Sequence, residues 1–203
     1  QVDWSGLAEL RQTLVGDLKT GALQSVTSLV QSQVAFWNEA GPSVTSGRTR
    51  ALTVWNGDSL LAGGVSGGLW MSGNRGGRWQ PVGSFPSLMV GSVAVTGNGT
   101  IYVGTGSSFE SAGGEGGSGF RGDGIWMSED NGATWTMVEG TDGYDATDAL
   151  AADPTNDNRV WYASVDGYGS ITNGVLAEVP GGGNSPSNAS DVAIAPDGSY
   201  CLV

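Results

Sequence analysis

The feature that most constrains this chain is a repeated pair of short strands joined by a tight turn. Four segments match: Ala51-Leu52-Thr53-Val54, Ser92-Val93-Ala94-Val95, Ala149-Leu150-Ala151-Ala152 and Asp191-Val192-Ala193-Ile194. Turn residues follow each, namely Asn56-Gly57-Asp58, Gly97-Asn98-Gly99, Pro154 to Asn158 and Pro196-Asp197-Gly198. A second apolar run then follows: Ser59-Leu60-Leu61-Ala62, Ile101-Tyr102-Val103-Gly104, Val160-Trp161-Tyr162-Ala163 and Tyr200-Cys201-Leu202-Val203. These read as β-hairpins whose Gly and Asn residues supply positive φ. The segments start 41, 57 and 42 residues apart. The long interval holds a Gly-, Ser- and Glu-rich insertion of 15 residues around Ser107 to Arg121. Without it every unit has a period near 42 residues. A repeat of roughly 40–50 residues with four strands per unit is the signature of a β-propeller blade.

Composition agrees with a folded β chain. Of 203 residues, 36 are Gly, 7 are Pro and 8 are Trp, and 14 % are charged. A disordered chain has the reverse balance of aromatics and charge. There is no His and the single Cys is Cys201. That excludes from these residues a Ser/His/Asp triad, a Cys–His dyad, a Cys/His zinc site and an internal disulfide. The net charge of −12 makes nucleic acid and anionic membrane surfaces poor partners. No run approaches 18 apolar residues, so no membrane insertion is expected. The chain shows no basic stretch followed by an apolar core of the signal-peptide type.

Residues 1–40 differ from the rest. Leu7, Leu10, Leu14 and Leu18, then Val26, Leu29, Val30 and Val34, recur at helical spacing. Ser5 is expected to cap a first helix, Gly21 to end it before a second from Ala22 to about Trp37, and Gly41-Pro42 to close the region. The expected division is an N-terminal helical segment, 1–40, and a partial propeller, 41–203, with blades at about 43–83, 88–140, 145–180 and 188–203. That is about three and a half blades, where a closed ring needs about four to eight. The expectation is that the sequence belongs to a longer protein, or that another chain completes the ring.

A second motif repeats. Gly68-Leu69-Trp70-Met71-Ser72 returns as Gly124-Ile125-Trp126-Met127-Ser128. The latter runs into Ser128, Asp130, Gly132, Thr134 and Trp135, spaced S-x-D-x-G-x-T-W. This resembles the Asp-box, or bacterial neuraminidase repeat, and Ser72, Asn74, Gly76 and Trp79 form a degenerate copy with Arg78 in the place of Thr134. A carboxylate at Asp130 can accept backbone N–H groups of its own turn, and Gly132 supplies left-handed backbone. Trp135 is expected to fill the space between blades. The first copy is expected to be looser, because Arg78 has no short hydroxyl. In families that carry the box it lies away from the active site.

The resemblance extends over about residues 41–203. Gly41-Pro42 with Ser46-Gly47-Arg48-Thr49-Arg50-Ala51-Leu52, then Ala62 to Trp70, look like the first blade of sortilin-like propellers of large secreted bacterial proteins. Asp153-Pro154 to Trp161-Tyr162-Ala163 resembles their third blade. Such propellers are related to xyloglucanase-type glycoside hydrolases, in which a catalytic Asp precedes a Val-Gly-Gly in the first blade. Aligned on Gly67-Gly68, that position falls at Val65, which cannot transfer a proton. No catalytic residue is therefore assigned.

Other candidates are weaker. Glycoside hydrolysis needs two carboxylates at a defined separation. Asp123, Asp142, Asp145, Asp148 and Asp166 read as loop residues, and no spacing rule selects two. Asp142, Asp145 and Asp148, three apart in an acidic stretch, are a weak calcium candidate, with a solvated acidic face as the plainer reading; no other cofactor is expected. Arg48 and Arg50 precede an inner strand, where they can pair with acidic loops or line the central channel. Arg121-Gly122-Asp123 spells an integrin-type tripeptide by accident, and Asn98-Gly99-Thr100 and Asn188-Ala189-Ser190 fit glycosylation sequons. The expected function is a non-catalytic, extracellular or cell-surface bacterial scaffold for adhesion, assembly or partner binding, with a protein, a copy of itself or a glycan as partner. Such proteins are often exported by the type IX route. The alternative is a glycoside hydrolase whose catalytic residues lie partly outside this chain. A third possibility is a secretion or envelope assembly factor that captures its partner through residues 1–40.

Overall fold

The computed structural model describes residues 48–108, 120–178, 189–199 and 201–203, all within the unit Ala40–Val203. The helical reading of residues 1–40 lies outside the described residues. Among those described the chain is all-β, with no helix and so no helix fit to cross a membrane.

Strands β1 (Thr49–Asn56), β2 (Ser59–Gly64), β3 (Gly68–Ser72) and β4 (Gln80–Pro81) form the first sheet. Strands β5 (Val90–Val95), β6 (Ile101–Thr105), β7 (Ile125–Ser128) and β8 (Thr136–Met137) form the second. Strands β9 (Thr147–Ala152), β10 (Arg159–Ser164), β11 (Gly167–Thr172) and β12 (Val175–Glu178) form the third. A two-stranded sheet of β13 (Ala193–Ile194) and β14 (Cys201–Leu202) follows. Every sheet is an antiparallel meander in chain order, and β5 packs between β1 and β9. This is the blade arrangement of a partial β-propeller, with the first strand of each sheet innermost.

Alternation decides which residues fill the seams. Ala51, Leu61 and Leu69 of the first sheet meet Val93, Ile101 and Val103 of the second. The opposite side of the second sheet, through Ala94, Tyr102 and Ile125, meets Val160, Tyr162 and Ile171 of the third. Burying the Val, Leu and Ile side chains among these stabilises the fold by about 1.5–3 kcal/mol each. Indole rings close the outer part of the first seam. Trp135 packs edge-on to Phe85, with ring centroids 4.9 Å apart at 75°, and its Nε1 donates to Ser84 Oγ at 3.2 Å.

Glycine sets how closely the blades approach. A Cβ on Gly63 would stand 2.9 Å from Val90 Cβ, and one on Gly104 would stand 2.7 Å from Thr147 Cβ. Both glycines occupy the same place in their sheets, opposite the first residue of the next inner strand. The turns also divide by chemistry. Gly57, Gly99 and Gly198 carry positive φ in the β1–β2, β5–β6 and β13–β14 turns. The β9–β10 turn departs from expectation, because no residue from Pro154 to Asn158 has positive φ. There Asp153 Oδ1 accepts the Thr155 N–H and hydroxyl, both at 2.8 Å, and folds the turn instead.

Candidate functional site

Strand direction places two sets of loops on opposite faces. The β1–β2, β3–β4, β5–β6 and β7–β8 turns share one face with the two Ser/Asp- or Ser/Asn-based motifs. The β2–β3, β4–β5, β6–β7 and β8–β9 connections share the other face, with the base of the insertion.

On the first face, the β7–β8 turn is organised by Asp130. Its Oδ1 accepts the Ser128 hydroxyl at 2.9 Å and the Thr134 N–H at 2.8 Å, and its Oδ2 accepts the Thr134 hydroxyl at 2.6 Å. Ser128 Oγ accepts the Gly132 N–H at 2.8 Å, and Asn131 and Gly132 are left-handed at φ 60° and 81°. The β3–β4 turn repeats this with Asn74, which accepts Ser72 Oγ at 3.0 Å and Arg78 N–H at 2.8 Å, while Gly76 N–H donates to Ser72 Oγ at 2.9 Å. It lacks the hydroxyl bond that Thr134 supplies. Trp79, like Trp135, is half-buried.

The bonds from the Thr134 hydroxyl and N–H and from the Ser128 hydroxyl hold the Asp130 carboxyl at about 2, below the usual carboxylate range. Its folded value lies below its unfolded value, so the turn's contribution is complete above about pH 4 and is lost as pH falls toward 2. Asp130→Asn, which copies Asn74, is expected to flatten this acid limb. Urea midpoints at pH 4.5 and pH 2.5 check it: the gap between wild type and variant should shrink at the lower pH.

On the second face, the inner strands share one irregularity. Register shifts fall between Thr49 and Ala51, between Val90 and Ser92, and opposite Ala163/Ser164, where Thr147 and Ala149 pair. The bulged residues are therefore Arg50, Gly91 and Asp148, at equivalent positions. A bulge re-aims its side chain out of the alternation. Arg50 Nη2 lies 3.8 Å from Asp148 Oδ1, so an ion pair spans the first and third sheets. Gly91 stands at the same place on the sheet between them, and a Cβ on it would meet the Gly106 and Thr147 carbonyl oxygens. The second sheet joins through the insertion: Arg50 Nη1 donates to Ser107 Oγ at 3.1 Å, and the Ser108 N–H donates to Asp148 Oδ1 at 3.2 Å. The Ser108 hydroxyl donates to Asp148 Oδ2. Ser107 N–H also pairs with Phe120 O at 2.9 Å, closing the base of the insertion. The Asp148 side chain is fully buried and that of Arg50 is 17 % exposed.

This corrects two expectations. Asp148 belongs to strand β9, and Arg50 lies within β1 instead of ahead of it. The three candidate calcium ligands are not brought together. Asp142 is exposed, Asp145 pairs with Arg121 at 3.4 Å, and Asp148 faces Arg50 and Ser108. No group of three or more acidic or thiol side chains among the described residues is gathered as a metal ion requires. The remaining carboxylates are also engaged. Asp166 Oδ2 accepts the Asp145 N–H at 2.6 Å, and Asp123 Oδ1 accepts Trp126 Nε1 at 3.2 Å. Arg121-Gly122-Asp123 is held down along its length, since Gly122 N–H donates to Asp145 O and Asp123 N–H to Thr105 Oγ1. Asn98 is likewise committed, accepting from Thr96 Oγ1 and donating to Asn158; Asn188 lies outside the described residues. Val65 is 3 % exposed on the β2–β3 turn, its N–H bonded to Arg48 O.

Sequence reasoning passed over Ser107, Ser108 and Gly91. A signal existed: Arg50, Gly91 and Asp148 each stand immediately before a matched repeat segment. Thr147, beside Asp148, is fully buried, and its Oγ1 lacks a hydrogen-bond partner. Thr147→Val keeps the shape and removes that unpaired hydroxyl, so it is expected to raise stability by about 1 kcal/mol. Urea unfolding of the two proteins checks it.

No protein-family model matches the sequence, and no curated protein matches it. Solved structures do. An ancestral GH74 enzyme aligns over 74 % of this chain and 21 % of its own, at 24 % identity and a TM-score of 0.59. The GH74 xyloglucanase from Xanthomonas campestris aligns over 74 % and 25 %, at 21 % identity and a TM-score of 0.52. The extracellular domain of a one-component system from B. thetaiotaomicron aligns over 78 % and 20 %, at 15 % identity and a TM-score of 0.56. The likeness is one of fold. This chain spans a fifth to a quarter of those chains' length.

Proposed function

We propose that this chain is a non-catalytic propeller scaffold of the Asp-box, sortilin-like kind, placed at the cell surface or outside the cell. Its role is adhesion, assembly or partner binding, with a protein or a glycan as the partner. The observation that carries the reading is Val65. It occupies the position aligned with the catalytic carboxylate of xyloglucanase-type hydrolases, and it is a buried hydrocarbon side chain. The acidic groups of the same face support it. Asp148 is tied to Arg50 and Ser108, Asp145 to Arg121, and Asp123 to Trp126. A general acid or nucleophile must be able to reach a substrate oxygen or carbon, and these carboxylates are spent on the fold. Their ordering of the insertion base gives this face a fixed platform for a partner.

Incubation of the protein with xyloglucan, followed by assay of new reducing ends, tests the reading. No turnover is expected. Turnover that disappears in Asp145→Asn or Asp148→Asn would defeat the scaffold and establish a carbohydrate-active enzyme.

A further inference from the structure

An asparagine followed by glycine is the least hindered place for an amide side chain to react with its own backbone, because glycine carries no Cβ beside its nitrogen. The chain has four such steps: Asn56-Gly57, Asn98-Gly99, Asn131-Gly132 and Asn173-Gly174. All four lie at hairpin turns. In three of them the glycine nitrogen is engaged. The Gly99 N–H donates to Thr96 O at 2.8 Å, and Asn98 Oδ1 also accepts the Thr96 hydroxyl at 2.7 Å and the Thr100 N–H at 3.0 Å. The Gly132 N–H donates to Ser128 Oγ at 2.8 Å, within the Asp130 turn. The Gly174 N–H donates to the hydroxyl of buried Tyr102 at 3.2 Å. Each bond holds the nitrogen in place and must break before that nitrogen can turn on the asparagine side chain.

Asn56-Gly57 is different. Neither the Gly57 N–H nor the Asn56 side chain has a hydrogen-bond partner among the described residues. The cause is local. Asn56 pairs with Ser59 across a two-residue turn, and the bonds of that turn run through Asp58 instead. Asp58 O accepts the Arg75 N–H at 2.8 Å and Asp58 Oδ1 accepts Arg75 Nε at 2.6 Å. Val54 stands two residues before Asn56, as Thr96 stands before Asn98, and a hydrocarbon side chain offers the amide no bond. A Cβ on Gly57 would have no heavy atom within 4 Å, so the turn has room for a ring.

We propose that Asn56 is a site of spontaneous deamidation, a covalent modification with water as its one co-reactant. The Gly57 nitrogen attacks Asn56 Cγ. The N–Cγ bond forms, the Cγ–Nδ2 bond breaks, and ammonia leaves with the Gly57 amide proton. Water then opens the cyclic imide at either carbonyl, giving aspartate or isoaspartate. Isoaspartate carries the main chain through the former side chain, one atom longer, at the residue that pairs with Ser59. Either product adds a carboxylate next to the Asp58–Arg75 pair, in a chain already at −12. The modified hairpin is therefore less stable than the original. This chemistry is independent of the scaffold reading.

Incubation of the full chain in mildly alkaline buffer, followed by proteolysis and mass spectrometry of the fragments, is the test. Acidic product at position 56 should exceed that at 98, 131 or 173 severalfold. In concentrated guanidinium chloride the four steps should become alike, because the bonds that separate them are gone. Ser128→Ala releases the Gly132 N–H and should raise the product at Asn131 severalfold, leaving position 56 unchanged. Product led by any of the other three steps in the folded chain would overturn the proposal. So would an Asn56 that is inert when folded and reactive when unfolded, or an excess at Asn56 that persists in denaturant. None of these outcomes bears on xyloglucan turnover.

Discussion

Asp148→Ala should lower the free energy of unfolding by about 3 kcal/mol, the low end for breaking a buried ion pair. The loss has two parts. Arg50, only 17 % exposed, is left without its carboxylate, and the Ser108 N–H and hydroxyl lose their shared acceptor. Because Arg50 is in the first sheet, Ser108 in the insertion base and Asp148 in the third sheet, one truncation loosens three places at once. Arg50→Ala alone should also be costly, since it strands a fully buried carboxylate. The double variant should lose clearly less than the two single losses together, as partners in one network do. Urea unfolding of the four proteins measures this. Additive losses would mean that the 3.8 Å pair contributes nothing as a pair.

Gly91→Ala should cost about 3 kcal/mol for a single methyl group, the upper range for overpacking a closed site. A Cβ there would collide with the Gly106 carbonyl oxygen and stand 2.8 Å from the Thr147 carbonyl oxygen. Both obstacles are backbone, so no rotamer change relieves them. Gly91 is the bulged residue of the second sheet, at the position that Arg50 and Asp148 hold in the first and third. The expected readout is a lower urea midpoint with an unchanged m-value. A midpoint within error of wild type would show that β5 and β9 are free to move apart.

Much of the fold was legible because its signals are local. Strand alternation such as Ala51-Leu52-Thr53-Val54 and turn residues such as Asn56-Gly57-Asp58 act within a few positions, and the repeat multiplies them. Even so, one local signal was passed over: Asn173-Gly174, left-handed at φ 52° and 75°, makes the two-residue turn between β11 and β12. The β9–β10 turn was misjudged for a related reason. Asp153 can fold a turn by accepting hydrogen bonds, so positive φ was not required. Burial raises the Asp153 pKa, but the bonds from Thr155 and Trp161 and the charge of Arg159 outweigh this and hold it below the ordinary value.

The candidate site was less legible. Asp148 read as a loop residue in an acidic stretch because a bulge leaves no mark of its own on the hydrophobic pattern. The three nearby carboxylates are dispersed because only Asp148 lies in β9, where it faces Arg50 and Ser108, while Asp145 pairs with Arg121 and Asp142 is exposed.

The sequence by itself determined the repeating four-strand unit, the hydrogen-bonded turns at Asn74 and Asp130 and the absence of histidine chemistry, since each depends on neighbours within one hairpin or on composition alone. Only the tertiary structure decided that Arg50 and Asp148 are partners and that Gly91 packs against the Gly106 and Thr147 backbone. Those facts depend on how three sheets are rotated against one another, and no spacing within a single strand encodes that rotation.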